Sequence, residues 1–550
     1  MEERIRKAVS EALAQMGAGD VAFVVERPAD FAHGDYTTNA ALVAAKALKK
    51  NPREVADELS RILIETLGED LVNHVGVAGP GFVNITLASS AVAFVVAEAE
   101  AKREEWGKGA AESEKRAIVE YSNPNSFKEM HVGHLVGTII GESVARLIEN
   151  SGAKLARATF GGDIGPNVAK AVWGLQKKGI SEPTTAAEIG AAYTTGAIAY
   201  ETDAKAKEEI DALNQAIYAG TDRELMALWR KGRDVSVEEF RRIWKLLGTH
   251  FDFEFFDSDT TETGLRVVRD GLNKGIFQMS DGAIIYNGEK KGVHTMVFIT
   301  SHNTPTYETK DIGLAFLKEE RWPSDRSLII TGNEQTGRFK TVLAALNELA
   351  PLLAAKTTHL ATGFLKLASG KMSSREGNVV TAADFINTVM GRVNEKNEDP
   401  LIAEQVAVGA IKYMVLRQAP GSDIIFDEEK SLSLEGDSGP YLQYALVRAR
   451  SVLAKASESG KKEAVSAEPT RLERVILHFP EVAARAAREL APNLLVNYLT
   501  ELAGEWNSFY AQERIVGSDD EAHKLRIARA FTQTMQNGLI LLSIPTPEKM

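Results

Sequence analysis

Two histidines separated by two residues are the first side chains whose types and spacing point to chemistry. His131 and His134 enclose Gly133 where a strand-like run gives way to helical periodicity. Residues three apart share one face of a helix, and the free N–H groups at a helix N-terminus favour phosphate. The glycine leaves room for a ligand to approach. The pattern predicts a phosphate-binding site, and its alternative is a polar turn with two surface histidines.

A loop rich in hydrogen-bond donors is the second candidate. Residues 370–378 read Gly-Lys-Met-Ser-Ser-Arg-Glu-Gly-Asn and follow the last strand candidate. A lysine and an arginine separated by small hydroxyl side chains suit the oxygens of a leaving pyrophosphate. A solvated turn is the alternative. Both segments together, in this order, favour nucleotide chemistry more strongly than either alone.

These side chains need a scaffold, and the surrounding sequence predicts a parallel sheet with helical crossovers. Strand-like runs at 117–121 and 155–160 enclose an apolar pattern with helical spacing, which is typical of an α/β domain of Rossmann type. Further strand candidates are 296–300, 328–331 and 360–367. A charged, helix-periodic stretch at about 200–250 predicts a helical insertion into this domain.

The chain divides into three predicted domains. Residues 1–110 mix helices with short β-like runs, so we expect an α+β N-terminal domain. Residues 111–395 form the predicted Rossmann domain with its helical insertion. In residues 396–550 the β signals fade and helical periodicity continues, which predicts an all-α bundle.

Composition excludes several classes of protein. The 550 residues carry 64 basic and 76 acidic side chains, a formal charge of -12, so indiscriminate binding to polyanions is not expected. The absence of cysteine excludes disulfides, thiolate zinc sites and iron–sulfur clusters. The apolar runs fall short of the roughly 18 residues that cross a bilayer, and residues 1–15 lack a signal-peptide core. We therefore expect a cytoplasmic protein with no membrane partner and no protein-bound zinc or other metal.

The two motifs, in this order and about 240 residues apart, resemble the signatures of class I aminoacyl-tRNA synthetases. Other segments narrow the resemblance to the arginyl-tRNA synthetases, including an extra N-terminal domain and the start of an anticodon-binding bundle. The matching segments are 33–39, 79–84, 122–125, 162–165, 306–311, 438–445 and 547–550.

The resemblance implies an arginine–tRNA ligase. Such an enzyme activates L-arginine with ATP, accompanied by Mg²⁺, to arginyl-adenylate and pyrophosphate. It then transfers the arginyl group to the 2′-hydroxyl of the terminal adenosine of arginine tRNA and releases AMP. The implied partners are therefore arginine tRNA, L-arginine and ATP, and the expected form is a monomer.

The resemblance also assigns the nucleotide site. It implies that His131 and His134 stabilise phosphate and that Lys371 acts on the pyrophosphate side. Ser374 stands where the general class I motif has a second lysine, and Lys128 matches the lysine that is thought to replace that charge in the arginyl family. The implied ATP-binding residues are Gly133, Gly162, Asp163, Met372, Ser373 and Ser374.

The arginine pocket must distinguish a planar guanidinium from an ammonium. Carboxylates do this because a site built for several fixed N–H donors leaves buried oxygens unpaired when lysine enters. Asp311 and Tyr307, four apart on one helical face, are the first candidates. The second acid is Asp257, with Glu254 and Glu262 left open as alternatives. Asn125 and Gln335 match positions that hold the amino and carboxylate end, and Arg338 stands where the family commonly has histidine.

RNA contacts are predicted in both outer domains. Aromatic side chains can stack on unpaired bases, although aromatics at helical spacing are more often core residues. The sequence from Lys524 to the end has a local charge of +3, from four basic residues against Glu548 alone. The predicted tRNA-binding residues are Asn84, Tyr441, Tyr444, Arg448 and Arg526.

Other families fit less well. The cysteinyl synthetases have a helical bundle that resembles the one predicted here, but they use a thiolate zinc site, which a cysteine-free chain cannot form. Small-molecule nucleotidylyltransferases share the fold and the histidine motif but are usually much shorter and lack the helical half. A non-catalytic RNA-binding paralogue is expected to have lost the histidines or the lysine loop, and both are intact here.

Overall fold

The computed structural model describes residues 1–368, 380–395, 397, 399–456 and 468–550. Its central feature is a five-stranded parallel sheet. In spatial order the strands are Thr357–Thr362, Arg326–Gly332, Arg116–Glu120, Lys154–Gly161 and Phe253–Phe256. The chain order reverses between Arg116–Glu120 and Arg326–Gly332, and in open α/β sheets ligands bind at such a switch point.

Helical crossovers connect these strands and cover the sheet. They are Val132–Asn150, Pro166–Lys177, Asp257–Asn273, Tyr307–Arg321, Thr336–Leu349 and Pro351–Ala355. The last four residues of Arg116–Glu120 are all buried, as expected for a parallel strand covered on both faces. The Rossmann prediction is confirmed, together with the strands predicted at 117–121, 155–160 and 328–331.

Three details of the sheet differ from the sequence prediction. The run at 296–300 was expected in the parallel sheet, but Met296–Ile299 pairs antiparallel with Ala283–Tyr286, which also pairs with Gln278–Ser280. The run at 360–367 is not one strand, because after Thr362 the chain begins a second strand, Leu365–Leu367. This strand pairs with Ile424–Phe426. The edge strand Phe253–Phe256 was not predicted.

Helices Asp257–Asn273 and Tyr307–Arg321 approach each other closely, and this approach positions the site described below. A Cβ atom on Gly264 would lie 2.3 Å from the carbonyl oxygen of Thr309, and one on Gly313 would lie 2.2 Å from that of Thr260. Real Cβ atoms do not make such short contacts. Glycine at both positions therefore allows the two helices to pack backbone against backbone.

The helical insertion has its own apolar core. Its helices are Ala186–Thr202, Ala204–Ala219 and Arg223–Leu246, so it begins before residue 200. Phe127, from the segment just before the histidine motif, is buried in this core. The insertion therefore holds the segment that leads into the motif.

The N-terminal domain is α+β, as expected. Its antiparallel sheet contains, in spatial order, Val25–Glu26, Tyr36–Thr38, Phe82–Leu87 and Val72–Ala78. Its helices are Glu2–Gln15, Ala40–Leu48, Pro52–Leu67 and Ser89–Lys102. The 3₁₀ helices Phe31–His33 and Arg103–Glu105 lie in the same part of the chain, and Gly288–Lys291 and Asn333–Gln335 lie further on.

The C-terminal part is a helical bundle, as predicted. Its helices are Ala382–Asn394, Pro400–Leu416, Glu428–Ser431, Gly439–Lys455, Arg471–Leu477, Phe479–Glu489, Pro492–Gln512 and Glu521–Leu541. Several begin with proline in the first turn, where its missing N–H costs no hydrogen bond. No helix within the described part of the chain combines the length and apolar character that crossing a bilayer requires.

The N-terminal domain docks onto this bundle through Asp35. This fully buried carboxylate accepts a hydrogen bond from the backbone N–H of Leu87 at 2.8 Å and forms an ion pair with Arg474 at 2.5 Å. The Tyr36 hydroxyl donates to Glu481 at 2.6 Å across the same interface. Segment 33–39, which contributed to the resemblance, therefore joins two domains.

Replacing Asp35 with alanine should loosen this interface. Removing one partner of a buried ion pair leaves the other charge unpaired, and the expected cost is about 3 kcal/mol. Native-state hydrogen exchange of the amides in Phe82–Leu87 measures the loss of protection. Asp57→Ala, at an exposed position of the same domain, is the control and should leave protection unchanged. Equal protection in both variants would contradict the docking role.

Candidate active site

The segment between strand Arg116–Glu120 and the histidine motif is held in an unusual backbone conformation. Ser122, Asn123 and Phe127 have φ angles of 74°, 51° and 64°, a region that non-glycine residues seldom occupy and that is concentrated at functional sites. The Asn123 side chain accepts from the backbone N–H of Phe160 at 2.9 Å. The segment is therefore fastened to the neighbouring strand, at the switch point of the sheet.

His131 and His134 lie together at the N-terminus of helix Val132–Asn150. Their rings stack with centroids 3.7 Å apart, and the backbone N–H of Gly133 donates to Nδ1 of His131 at 3.0 Å. Burial lowers the pKa of His131, and burial together with His131 and Lys128 lowers the pKa of His134 well below its usual range. Both imidazoles are therefore neutral near pH 7. Nδ1 of His134 is buried and has no hydrogen-bond partner within the described residues.

Lys128 is close enough to this pair to lower the pKa of both histidines. Its ammonium lies 4.3 Å from the centre of the Tyr193 ring, on helix Ala186–Thr202. A lysine over an aromatic face gains a modest cation–π attraction and stays available to an anion.

The predicted residues Lys371, Met372, Ser373 and Ser374 lie outside the described residues. The chain that follows them returns to the histidine motif. The backbone N–H of Val132 donates to Val380 at 3.3 Å, and that of Ala382 donates to Met130 at 2.6 Å. The described chain that follows the predicted pyrophosphate loop, from Val380 to Ala382, therefore lies beside the histidine motif.

Asp257, an acid of the predicted arginine pocket, is buried at the start of helix Asp257–Asn273. Its buried carboxylate accepts from Nζ of Lys310 at 2.7 Å. Burial raises the pKa of Asp257 to about 6, although the Lys310 charge opposes the rise. A Cβ atom on Gly162 would lie 2.4 Å from Oδ1 of Asn125 and 3.5 Å from Oδ2 of Asp257. The absence of a side chain at Gly162 thus lets Asn125 and Asp257 face the same space.

Asp311 is a second buried acid and lies next to Lys310 on helix Tyr307–Arg321. Its carboxylate accepts a hydrogen bond from the guanidinium of Arg338, whose Nε donates to Gln335 at 2.9 Å. Burial raises the pKa of Asp311 to about 7, and the Arg338 charge opposes the rise. Tyr307, 52% exposed, lies with its ring centre 5.2 Å from Nζ of Lys310. The structure therefore brings together the predicted arginine-binding residues.

The alternative acids lie elsewhere. Glu254 pairs with Arg241 in a two-bonded salt bridge at 2.7 and 3.0 Å, and Glu262 is exposed. Of the three acids considered, Asp257 alone is seen in contact with Lys310 at the pocket. This geometry favours Asp257 as the second guanidinium partner.

Asp163 faces protein on every side. Its carboxylate accepts from the backbone N–H of Ser258 at 2.9 Å and from the Ser258 hydroxyl at 2.7 Å, and its carbonyl oxygen accepts from Trp229 at 2.7 Å. Arg233 lies 3.5 Å from the carboxylate. Asp163 therefore links the end of strand Lys154–Gly161 to the helix that begins at Asp257 and to the insertion, and its ATP contact stays a prediction.

Three family models match the chain in succession. The arginyl tRNA synthetase N terminal domain matches residues 3–87, the class I (R) tRNA synthetase catalytic domain matches 96–428, and the DALR anticodon binding domain matches 442–550. The chain belongs to the arginyl-tRNA synthetase family. An arginine–tRNA ligase of Treponema denticola is 31% identical, with 92% of this chain and 91% of that protein covered.

Solved structures of the arginyl-tRNA synthetase family have the same fold. The Thermus thermophilus arginyl-tRNA synthetase has a TM-score of 0.83 at 25% identity, with 100% of both chains covered. The Plasmodium falciparum arginyl-tRNA synthetase has a TM-score of 0.81 at 19% identity, with 100% of this chain and 99% of that chain covered. The predicted fold class and the predicted membership of a ligase family are both confirmed.

The predicted tRNA-binding residues lie in separate places, in the C-terminal bundle and in the N-terminal domain of this member of the arginyl-tRNA synthetase family. Arg448 lies between two rings, 4.7 Å from the centre of Tyr444 and 5.0 Å from that of Tyr510. Tyr441 is half-buried one turn before Tyr444. In the N-terminal domain, the Asn84 side chain accepts from Thr37 at 2.8 Å.

Arg526 lies in a different environment. It faces Glu100 of helix Ser89–Lys102 at 3.8 Å, and the nearby Arg529 contacts the same acid at 2.5 Å. Lys524 pairs with Glu513 at 2.8 Å and with Asp520 at 3.0 Å. The local charge of +3 counted along the sequence is therefore balanced in three dimensions by acids from other segments.

Two pocket residues escaped the sequence prediction. Lys310 lies three residues after Tyr307, the spacing of one helix face, so its position was a signal that could have been used. Tyr218 of helix Ala204–Ala219 is close enough to Lys310 for that charge to lower the pKa of its hydroxyl against the rise caused by burial, and nothing in the local sequence marks it. Among the described residues, no group of three or more His, Cys, Asp or Glu side chains could hold a metal ion.

The raised pKa values of Asp257 and Asp311 predict pH-dependent arginine binding. A guanidinium binds an ionised carboxylate, and a proton that adds at about pH 7 to Asp311 or about pH 6 to Asp257 removes that charge. The Kd for L-arginine should therefore rise as the pH falls from 8 through 7 to 6, which calorimetric titration measures. A Kd that stays flat over this interval would contradict the assignment.

Two variants test which acid, besides Asp311, binds the guanidinium of arginine. Asp257→Asn should raise the Kd for L-arginine at pH 8 by about tenfold or more, because it removes a charge-assisted hydrogen bond. Glu254→Gln is the matched control and should change the Kd by less than about twofold, since surface ion pairs contribute little. The reverse ranking would move the role to Glu254.

Proposed function

We propose that the chain activates L-arginine with ATP and then esterifies the 2′-hydroxyl of the terminal adenosine of arginine tRNA. The observation that carries this proposal is the combination of two buried carboxylates, Asp257 paired with Lys310 and Asp311 paired with Arg338, with a stacked pair of neutral histidines at a helix N-terminus. One end of the site suits a guanidinium and the other suits phosphate.

In the first step the carboxylate of arginine attacks the α-phosphorus of ATP, and pyrophosphate leaves with its Mg²⁺. Positioning and charge stabilisation supply most of the catalysis in phosphoryl chemistry of this kind. His131 and His134, being neutral, donate hydrogen bonds to the phosphate oxygens, and the helix N-terminus adds its partial positive charge. Lys128 supplies a full charge, and Lys371 is assigned to the pyrophosphate side.

Arginine is selected by the shape of its side chain. Asp257 and Asp311 present oxygens from two sides of the pocket, and Tyr307 lies along it. Asn125 and Gln335 are assigned to the amino and carboxylate end. Lysine would leave buried carboxylate oxygens without donors, and a site that hydrogen-bonds its substrate strongly rejects an analogue lacking those groups.

In the second step the 2′-hydroxyl of the tRNA attacks the arginyl carbonyl, and AMP leaves. We assign the anticodon to the bundle, where Tyr444, Arg448 and Tyr510 form a stack of cation and rings that suits unpaired bases. Asn84 of the N-terminal domain is assigned to a further tRNA contact. We also propose a monomer that acts in the cytoplasm.

Arginine-dependent exchange between ATP and pyrophosphate, with and without total tRNA, tests the function. Exchange should require arginine and be absent with lysine. Exchange that depends on another amino acid, or no exchange under either condition, would overturn the proposal.

Lys128→Ala tests the catalytic assignment. It should lower the exchange rate by about a hundredfold, because one charge that stabilises the transition state is lost, while the Kd for L-arginine stays within about twofold. Lys170→Ala is a matched control, since Lys170 makes the same kind of contact with Tyr200, at 4.2 Å from the ring centre, and should keep the exchange rate. Equal loss of exchange and arginine binding in Lys128→Ala would refute the role.

A further inference from the structure

We infer that Arg338 occupies the guanidinium position of the arginine pocket in the free chain and leaves Asp311 when L-arginine binds. This inference rests on the proposed function, since it specifies how the same pocket admits its substrate. It makes Arg338 a specificity-determining residue that competes with the substrate for Asp311.

Arg338 contacts two side chains proposed to bind the substrate, namely Asp311, assigned to the substrate guanidinium, and Gln335, assigned to the amino and carboxylate end of the substrate. Its guanidinium donates to Asp311, and its Nε donates to Gln335 at 2.9 Å. Both acceptors belong to the predicted arginine pocket. The chain's own guanidinium therefore fits where an incoming one is expected, and a single carboxylate oxygen cannot serve two guanidinium groups at full strength because the two cations repel each other.

Arg338 can be displaced, whereas the other cation of the pocket cannot. The Arg338 side chain is 21% exposed and lies in the first turn of helix Thr336–Leu349, with its guanidinium 4.6 Å from the centre of the Phe339 ring. Lys310, the partner of Asp257, is only 4% exposed. If Lys310 moved away, the buried carboxylate of Asp257 would lose its counter-charge with no solvent to replace it. Exchange of guanidinium groups is therefore confined to Asp311.

Displacement has a cost that appears in the affinity for arginine. The incoming guanidinium replaces an existing ion pair. The binding free energy that it gains at Asp311 is therefore only the difference between two similar interactions. Removing Arg338 removes the competitor and should tighten the binding of arginine.

The variants are compared at pH 8.5. Burial raises the pKa of Asp311 and the Arg338 charge opposes this rise, so an Asp311 without its partner needs a higher pH to be ionised.

The first experiment titrates L-arginine into the full chain, in the absence of ATP and tRNA. Arg338→Gln should lower the Kd by about fivefold, the size of a partly exposed ion pair. Lys340→Gln removes the same charge at an exposed position two residues further along the helix and should leave the Kd within about 1.5-fold. A Kd for Arg338→Gln that is unchanged or higher would overturn the inference, since Arg338 would then assist substrate binding or take no part in it.

The second experiment separates competition from general repulsion by a double-mutant cycle. The Asp311→Asn variant lacks the carboxylate for which Arg338 and the substrate compete. Adding Arg338→Gln in this background should therefore change the Kd for L-arginine by less than about 1.5-fold. A fivefold gain that persists in this background would refute competition for Asp311. Arg338→His replaces Arg338→Gln in both experiments if the glutamine variant does not fold.

The exchange assay distinguishes this inference from the function on which it rests. Absence of arginine-dependent exchange in the unmodified chain would overturn the function. Normal exchange combined with an unchanged Kd in Arg338→Gln would overturn the role of Arg338 alone.

Discussion

Every buried carboxylate near the nucleotide site needs a positive charge within reach, and the catalytic region is arranged around that need. Lys318 lies 2.6 Å from Glu120, Lys310 lies 2.7 Å from Asp257, and Arg338 bonds to Asp311. A buried charge without a partner costs several kcal/mol. Helix Tyr307–Arg321 carries Lys310, Asp311 and Lys318, so a single helix contributes to all three pairs and must lie close to the strands and helices that bear the partners.

The phosphate end of the site contains neutral hydrogen-bond donors instead of buried ion pairs. His131 and His134 are neutral because burial lowers the pKa of each, and charge repulsion from His131 and Lys128 lowers the pKa of His134 further. Neutral donors at a helix N-terminus leave most of the positive charge to Lys128 and to the predicted loop. The site thus separates an acidic end for a guanidinium from a donor end for phosphate. The histidines follow strand Arg116–Glu120, and Asp257 follows the edge strand Phe253–Phe256 of the same sheet.

Features set by local spacing were predictable from the sequence, and features set by distant partners were not. The histidine motif and the pair Tyr307 and Asp311 depend on helical spacing alone. The ion pairs join residues 53 and 27 positions apart, for Lys310 with Asp257 and Arg338 with Asp311, and no local pattern marks such pairs. Strand Phe253–Phe256 is four residues long, and the run at 296–300 shows strand character without showing which sheet it joins.

A crystal structure of the chain with L-arginine bound tests the account most directly. We predict that the guanidinium of the ligand contacts Asp257 and Asp311, that Lys310 stays on Asp257, and that Arg338 has moved away from Asp311. A ligand guanidinium bound elsewhere, or Arg338 still bonded to Asp311 with arginine in the pocket, would contradict it.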